Sequence, residues 1–166
     1  MPADCISYKE TNYYTPLIID YLDQKKEVKQ LYNRFPNLTN FKAQFEEKQK
    51  SYTSAKREVL VSAFKQQYEN LEISEAVLKN IKSLSEENTF SLTTGHQLNL
   101  FTGPLYFLYK IVTTINLASA LEAKYPDKNF VPVYWMATED HDFEEISFFN
   151  LKGKKFKWNS NEPTAG

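Results

Sequence analysis

Apolar residues recur at helical spacing through the first half of the chain and in unbroken runs through the second, with a change of character at Asn88. Pro16 predicts the opening of a helix through Ile18, Ile19, Leu22, Val28 and Leu31, because a first-turn proline forfeits no needed hydrogen bond. That helix is expected to end before Pro36, since the residue preceding a proline resists the helical region. A second helix is predicted over about 40–51, with Phe41 and Phe45 four apart on one face. A third follows Ser54 as N-cap and keeps Val59, Leu60, Ala63, Phe64, Gln67 and Leu71 at helical spacing. A fourth follows Ser74, with Val77, Leu78 and Ile81 on one side. The remaining positions are rich in Lys, Glu and Gln. Residues 1–88 are therefore expected to form an N-terminal helical region that packs on a core and keeps a solvated outer face.

From residue 89 the pattern changes. Thr89-Phe90-Ser91-Leu92-Thr93-Thr94 is short and rich in β-formers, and is predicted as a strand that stops at Gly95. Pro104 suits the first turn of a helix with Thr102 or Gly103 near its N-cap. From Leu105 to Leu121 apolar residues cover most of the helix circumference, leaving a narrow polar stripe through Thr113 and Asn116. Such a helix belongs buried on several sides, and it asks for more cover than this chain offers. Pro126 and Asp127 mark a turn. Phe130 to Ala137 is then continuously apolar, as in a parallel strand covered on both faces. Pro132 argues for the regular strand to begin at Val133. Phe148 to Trp158 is predicted as a strand pair around Lys152-Gly153. The sum is an α/β pattern with one strand–helix–strand unit. Two parallel strands fall short of the about 4–6 of a usual sheet, so the chain is expected to be an N-terminal portion of a longer protein.

Composition narrows the function classes. The net charge of −1 on 166 residues provides no basic field for nucleic acid. The most apolar run carries Lys110, Asn116 and several hydroxyls, which argues against a membrane span. Cys5 is the single cysteine, so neither an internal disulfide nor a thiolate zinc site can be built from this chain alone. With no basic-then-apolar leader at the N-terminus, a cytoplasmic location is expected.

Both histidines of the chain follow a predicted strand. His96 lies in Thr94-Gly95-His96-Gln97, near Asn99, Thr102 and Gly103. A strand running into Gly95 and a helix starting near Pro104 leave free N–H groups that attract phosphate or carboxylate. Neither a dinucleotide-binding glycine pattern nor a phosphate-binding loop is present. The second cluster is Glu139-Asp140-His141-Asp142, with Glu144 and Glu145 beyond. Ionisable residues in a row at a strand end are costly unless solvated, paired or bound to something. One reading is a solvated loop in which Asp140 or Asp142 caps the next helix. The other is a carboxylate holding His141 in one tautomer while a second touches substrate or Mg²⁺. On adjacent parallel strands about 4.8 Å apart, the two clusters emerge at one sheet edge, where open α/β sheets bind ligands.

Thr94-Gly95-His96-Gln97, Leu100-Phe101-Thr102-Gly103-Pro104-Leu105-Tyr106, Lys110 and the run Trp135 to Ile146 resemble the BshC family, to which the cysteine-adding step of bacillithiol biosynthesis is attributed. The specific likeness spans about 93–146. It implies a Rossmann-like parallel sheet core of the class I nucleotidyltransferase type, incomplete in this chain, with residues 89–166 as its first part. It implies a ligase that joins cysteine to glucosaminyl-malate through an amide, small-molecule substrates, and a homodimer built on a coiled coil outside these residues. Related synthetases bind ATP phosphates with a histidine loop after the first strand. Gly95-His96-Gln97 takes that place but is not their two-histidine motif, so ATP with Mg²⁺ is an implied cofactor and no resident metal is expected.

On this resemblance His96, Asp140 and His141 are the expected catalytic residues. Thr94, Gly95, Gln97, Asn99, Thr102, Gly103, Glu139 and Asp142 are the expected substrate- or nucleotide-binding residues. Two other readings compete: a metal-dependent hydrolase using Asp140, His141 and Asp142, and a non-catalytic interaction module using the helical first half.

Overall fold

The computed structural model describes residues 4–97, 99, 103–139 and 142–160. The chain divides into two compact units, Met1–Ser51 and Tyr52–Gly166.

The first unit contains helix α1 (Pro16–Leu22), a 3-10 turn (Lys26–Leu31) and helix α2 (Asn40–Ser51). The single helix expected from Pro16 to Pro36 is thus two pieces. Asp23-Gln24-Lys25-Lys26 offers no apolar side chain to bury. Gln24 takes a positive φ of 54° and Lys25 is extended. Beyond this break Val28 is buried, and the Tyr21 ring packs against Tyr32 at 5.0 Å and Phe35 at 5.2 Å. Helix α2 begins where predicted, after the Asn37 side chain accepts from the Asn40 N–H at 2.9 Å. Phe45 is its buried residue.

The second unit starts with helices α3 (Ser54–Tyr68) and α4 (Glu75–Ser83). The N-cap of α3 is Thr53 rather than Ser54, and its side chain makes no cap hydrogen bond. The N-cap of α4 is Ser74, whose hydroxyl accepts from the Val77 N–H. Val61, Ile81, Leu84 and Val131 form a core, with Leu60, Phe64, Tyr68, Val77 and Val133 packed around it. Helices α3 and α4 therefore share their apolar interior with a strand of the sheet. Arg57, only 3% exposed, fastens this layer. Its guanidinium donates to the carbonyls of Thr89 (2.9 Å), Leu84 (3.1 Å) and Glu87 (3.3 Å).

Strands β1 (Thr89–His96) and β2 (Asn129–Met136) pair in parallel, from Thr89 opposite Asn129 to His96 opposite Met136, with helix α5 (Leu105–Lys124) between them in sequence. Two expectations shift. Strand β1 runs through Gly95 to His96. A Cβ at residue 95 would lie 2.9 Å from both Cβ and O of Trp135, so glycine permits the close pairing instead of ending it. Strand β2 begins at Asn129 rather than at Val133. Asn129 N–H donates to Asn88 and Ala137 N–H to His96, so odd-numbered amides face β1. Phe130 N–H faces the other way, to Glu122. Pro132 shares that outward phase, so no ladder bond to β1 is lost where its N–H is missing.

Side chains alternate between the two faces of β2. Val131 and Val133 face α3 and α4. Tyr134 meets Phe107 of α5 on the other face, with ring centroids 5.4 Å apart. Helix α5 lacks cover on several sides, as its apolar circumference and the short sheet lead one to expect. Ala118 and Leu121 are buried, whereas Leu105, Leu108, Tyr109, Val112 and Ile115 are exposed. A two-stranded sheet can cover only one stripe of a helix. Short helix α6 (Phe143–Ile146) then leads into the expected hairpin, β3 (Phe148–Leu151) and β4 (Lys154–Lys157). Its two turn residues, Lys152 and Gly153, both have positive φ (48° and 76°), as a tight primed turn requires.

Candidate functional site

The site is assembled where β1 ends, α5 begins and α6 turns back. His96 is the last residue of β1, and its side chain is 12% exposed. Ring Nδ1 lies 2.9 Å from the Gln97 carbonyl oxygen. A carbonyl can only accept, so the contact is a hydrogen bond in the tautomer that carries the ring proton on Nδ1. The Asn99 amide closes over the same pair, donating to Gln97 O at 3.0 Å and lying 3.1 Å from Nδ1. In that tautomer Nε2 carries the lone pair and accepts from the Tyr106 hydroxyl at 3.1 Å. Burial, and after it the nearby Glu145 charge, hold the Tyr106 phenol above its ordinary pKa, so it remains a donor. Glu145 Oε2 stands 3.8 Å from Nε2, too far for a hydrogen bond but placed to face an imidazolium.

The support is built from neighbouring elements. Tyr134 of β2 donates to the His96 carbonyl at 2.8 Å. Lys110, one turn beyond Tyr106, donates to the Gly95 carbonyl at 3.2 Å. Gln97 is 4% exposed, and its Nε2 donates to Glu145 Oε2 at 3.2 Å and to the Asp142 carbonyl at 3.4 Å. Gly103 has φ 61°, and a Cβ there would fall 2.5 Å from Asn99 Cβ. Only glycine fits that approach to the helix. Pro104 is the N-cap of α5, so proline precedes the first helical turn instead of occupying it, and no side chain caps the helix.

A cleft of about 820 Å³ opens beside this constellation. Its walls are Asn99, Gly103, Pro104 and Tyr106 on one side, Asp142, Glu144 and Glu145 on another, and Phe148 to Leu151 of β3. The N-terminus of a 20-residue helix, with its partial positive charge, thus shares a cleft with three carboxylates. Such a lining suits a ligand that carries both an ammonium and a carboxylate.

The expected site residues separate into groups. His96, Asn99, Gly103 and Asp142 meet at the cleft or its edge. Gln97 is buried behind it as a brace. Thr94 and Gly95 are β1 positions opposite Tyr134 and Trp135. The Glu139 carboxylate accepts from the Trp135 indole at 3.2 Å. Asp142 occupies the N-cap position of α6 without a side-chain cap bond. Thr102, Asp140 and His141 lie outside the described residues, and the expected meeting of His96 and His141 falls outside them too. Among the described residues no group of three or more His, Cys, Asp or Glu is placed to hold a metal ion. No described helix is long and apolar enough to cross a membrane.

Tyr106 and Glu145 are site residues that the sequence does not single out for a role. Both carry weak local signals: Tyr106 sits in the first turn of the helix that Pro104 announces, and Glu145 lies three residues after Asp142, one helical turn on.

The family model described as "Bacillithiol biosynthesis BshC, N-terminal Rossmann-like domain" matches residues 1–165. The chain belongs to the BshC family. A protein of Christiangramia forsetii is 61% identical over 166 residues, covering 100% of this chain and 31% of that protein. A protein of Flavobacterium johnsoniae is 62% identical over 167 residues, covering 99% of this chain and 32% of its own length. A more distant Bacillus cereus protein is 34% identical over 143 residues. Each bears the name "Putative cysteine ligase BshC". The chain spans about a third of the length of the first two BshC relatives, and its fold class is the Rossmann-like one of that family.

The ATP implied by the resemblance finds no match in the cleft. Among the described residues its walls contribute three carboxylates and no lysine or arginine. Lys110 donates to the Gly95 carbonyl and lies over the Tyr106 ring, 5.6 Å from its centroid. This charge pattern does not fit a polyphosphate.

Proposed function

We propose that this chain provides the cysteine-handling side of a ligase that forms an amide between cysteine and glucosaminyl-malate in bacillithiol biosynthesis. The observation that carries the reading is the pairing, in one cleft of a BshC family member, of an uncapped helix N-terminus with three carboxylates beside His96. An amino acid presents an ammonium and a carboxylate on one carbon. The α5 N-terminus would take the carboxylate, and Asp142 and Glu144 the ammonium. Phe148 and Phe149 offer apolar surface to a thiol-bearing side chain.

Amide formation needs two things. One substrate's carboxylate must be activated, because an amine does not displace hydroxide at neutral pH. The attacking amine must also lose a proton. His96 Nε2 has a lone pair and an adjacent hydroxyl donor, which suits it to receive that proton; positioned general bases contribute about 10²–10⁴ in rate. Where ATP is the activator, its phosphates are held by groups other than the described cleft walls, and no step is assigned to it.

The test uses full-length protein supplied with cysteine, glucosaminyl-malate and ATP, with amide product followed by mass spectrometry. Product from the wild type, and loss of about 100-fold or more with His96→Ala, is the expected outcome. Unchanged turnover in that variant would remove His96 from the reaction. A thermal shift with nucleotide alone, and none with cysteine, would overturn the assignment of the cleft.

A further inference from the structure

We infer that Gln97 is a positioning residue that holds Glu145 as the counter-ion of His96, coupling the end of β1 to α6; the inference rests on the amide-forming reading above. Gln97 touches both members of the pair. Its backbone carbonyl faces His96 Nδ1 at 2.9 Å and accepts from it in the tautomer whose lone pair is on Nε2. Its side-chain Nε2 holds Glu145 Oε2 at 3.2 Å, and the same carboxylate oxygen faces His96 Nε2 at 3.8 Å.

The amide can stand in only one orientation. Nε2 donates to a carboxylate and to the Asp142 carbonyl, both acceptors; reversal would press a carbonyl oxygen against Glu145. Its Oε1 is buried with no hydrogen-bond partner among the described residues.

The consequence is chemical. Before the transfer the imidazole donates from Nδ1 to Gln97 O and accepts from Tyr106 at Nε2. When Nε2 takes the proton, positive charge appears beside a carboxylate already fixed in place. A counter-ion that need not move lowers the cost of forming the imidazolium.

Gln97→Leu keeps the size of the side chain and removes both donated bonds. In full-length protein it should lower kcat about 10- to 100-fold and leave KM for cysteine within about twofold. Glu145→Gln should do the same. The double variant should lose no more than either single one, because the two residues act as one unit. Additive losses, or a Gln97→Leu variant at wild-type kcat, would overturn the inference. The crystal structure of Gln97→Leu provides a readout that needs no turnover: Glu145 is expected to turn away from His96 Nε2. A carboxylate still in place would refute the clamp. If the wild type makes no amide, the reading of function fails while this structural comparison still decides the role of Gln97.

Discussion

The Tyr134 hydroxyl donates to the carbonyl of His96 at 2.8 Å, bonding a β2 side chain to the terminal backbone of β1. Tyr134 thereby fixes where β1 stops and where the imidazole is presented. Tyr134→Phe keeps the ring against Phe107 and removes this bond. A stability loss of about 1 kcal/mol is expected, read as a lower denaturant midpoint of the full-length protein. An unchanged midpoint would show that the bond does not hold the strand end.

Burial raises the pKa of the Tyr134 phenol, as it does that of Tyr106. In the unfolded chain these phenols ionise near about pH 10. Above that pH the unfolded state has released protons that the folded state still holds, so stability falls as pH rises toward the folded-state values. Below about pH 10 the contribution is fully present. Melting temperature followed from about pH 8 to pH 11 should fall less steeply for Tyr134→Phe than for the wild type. Parallel curves would contradict the burial argument.

Arg57→Met retains an apolar stem and strips the guanidinium from three carbonyls, two of them on the buried residues Leu84 and Thr89. The expected loss is about 3 kcal/mol, because buried acceptors are left without donors. Amide hydrogen exchange at the start of β1 should accelerate with it. Wild-type protection there would refute the role.

Gly103→Ala asks a left-handed residue to accept a Cβ that would overlap Asn99. Backbone cost alone is about 1–2 kcal/mol. Displacing Asn99 should also loosen His96, so turnover is expected to fall together with thermal stability. A variant that loses neither would show that the approach to α5 can rearrange freely.

Ser74→Ala removes the hydroxyl that accepts from Val77 N–H at the start of α4. A loss of about 1 kcal/mol is expected, and Ser74→Gly should cost only a few tenths. Equal losses in the two variants would mean that the cap bond is not the cause.

Features governed by neighbours along the chain were legible in the residues themselves. Helix α2, the Ser74 cap, the order strand–helix–strand and the Lys152-Gly153 turn all follow from periodicity, capping or positive φ, which act over a few residues. Two expectations failed where partners decide. Gly95 does not end β1, because Trp135 comes close enough to need a missing Cβ. Pro132 does not delay β2, because its N–H phase points away from β1. The missing cover of helix α5 was legible, because its apolar circumference exceeds what two strands can bury.

The candidate site divides the same way. Its density of polar residues, its place after two strands and its family likeness were visible in the sequence, because motifs are written in consecutive residues. The clamp from Gln97 to Glu145 was not, since 48 positions separate the two. Only the folded chain, by laying β1 beside β2 and turning α6 back across the strand ends, brings that carboxylate to the imidazole. Hydrogen bonds of about 3 Å depend on such placement, and no local propensity specifies it.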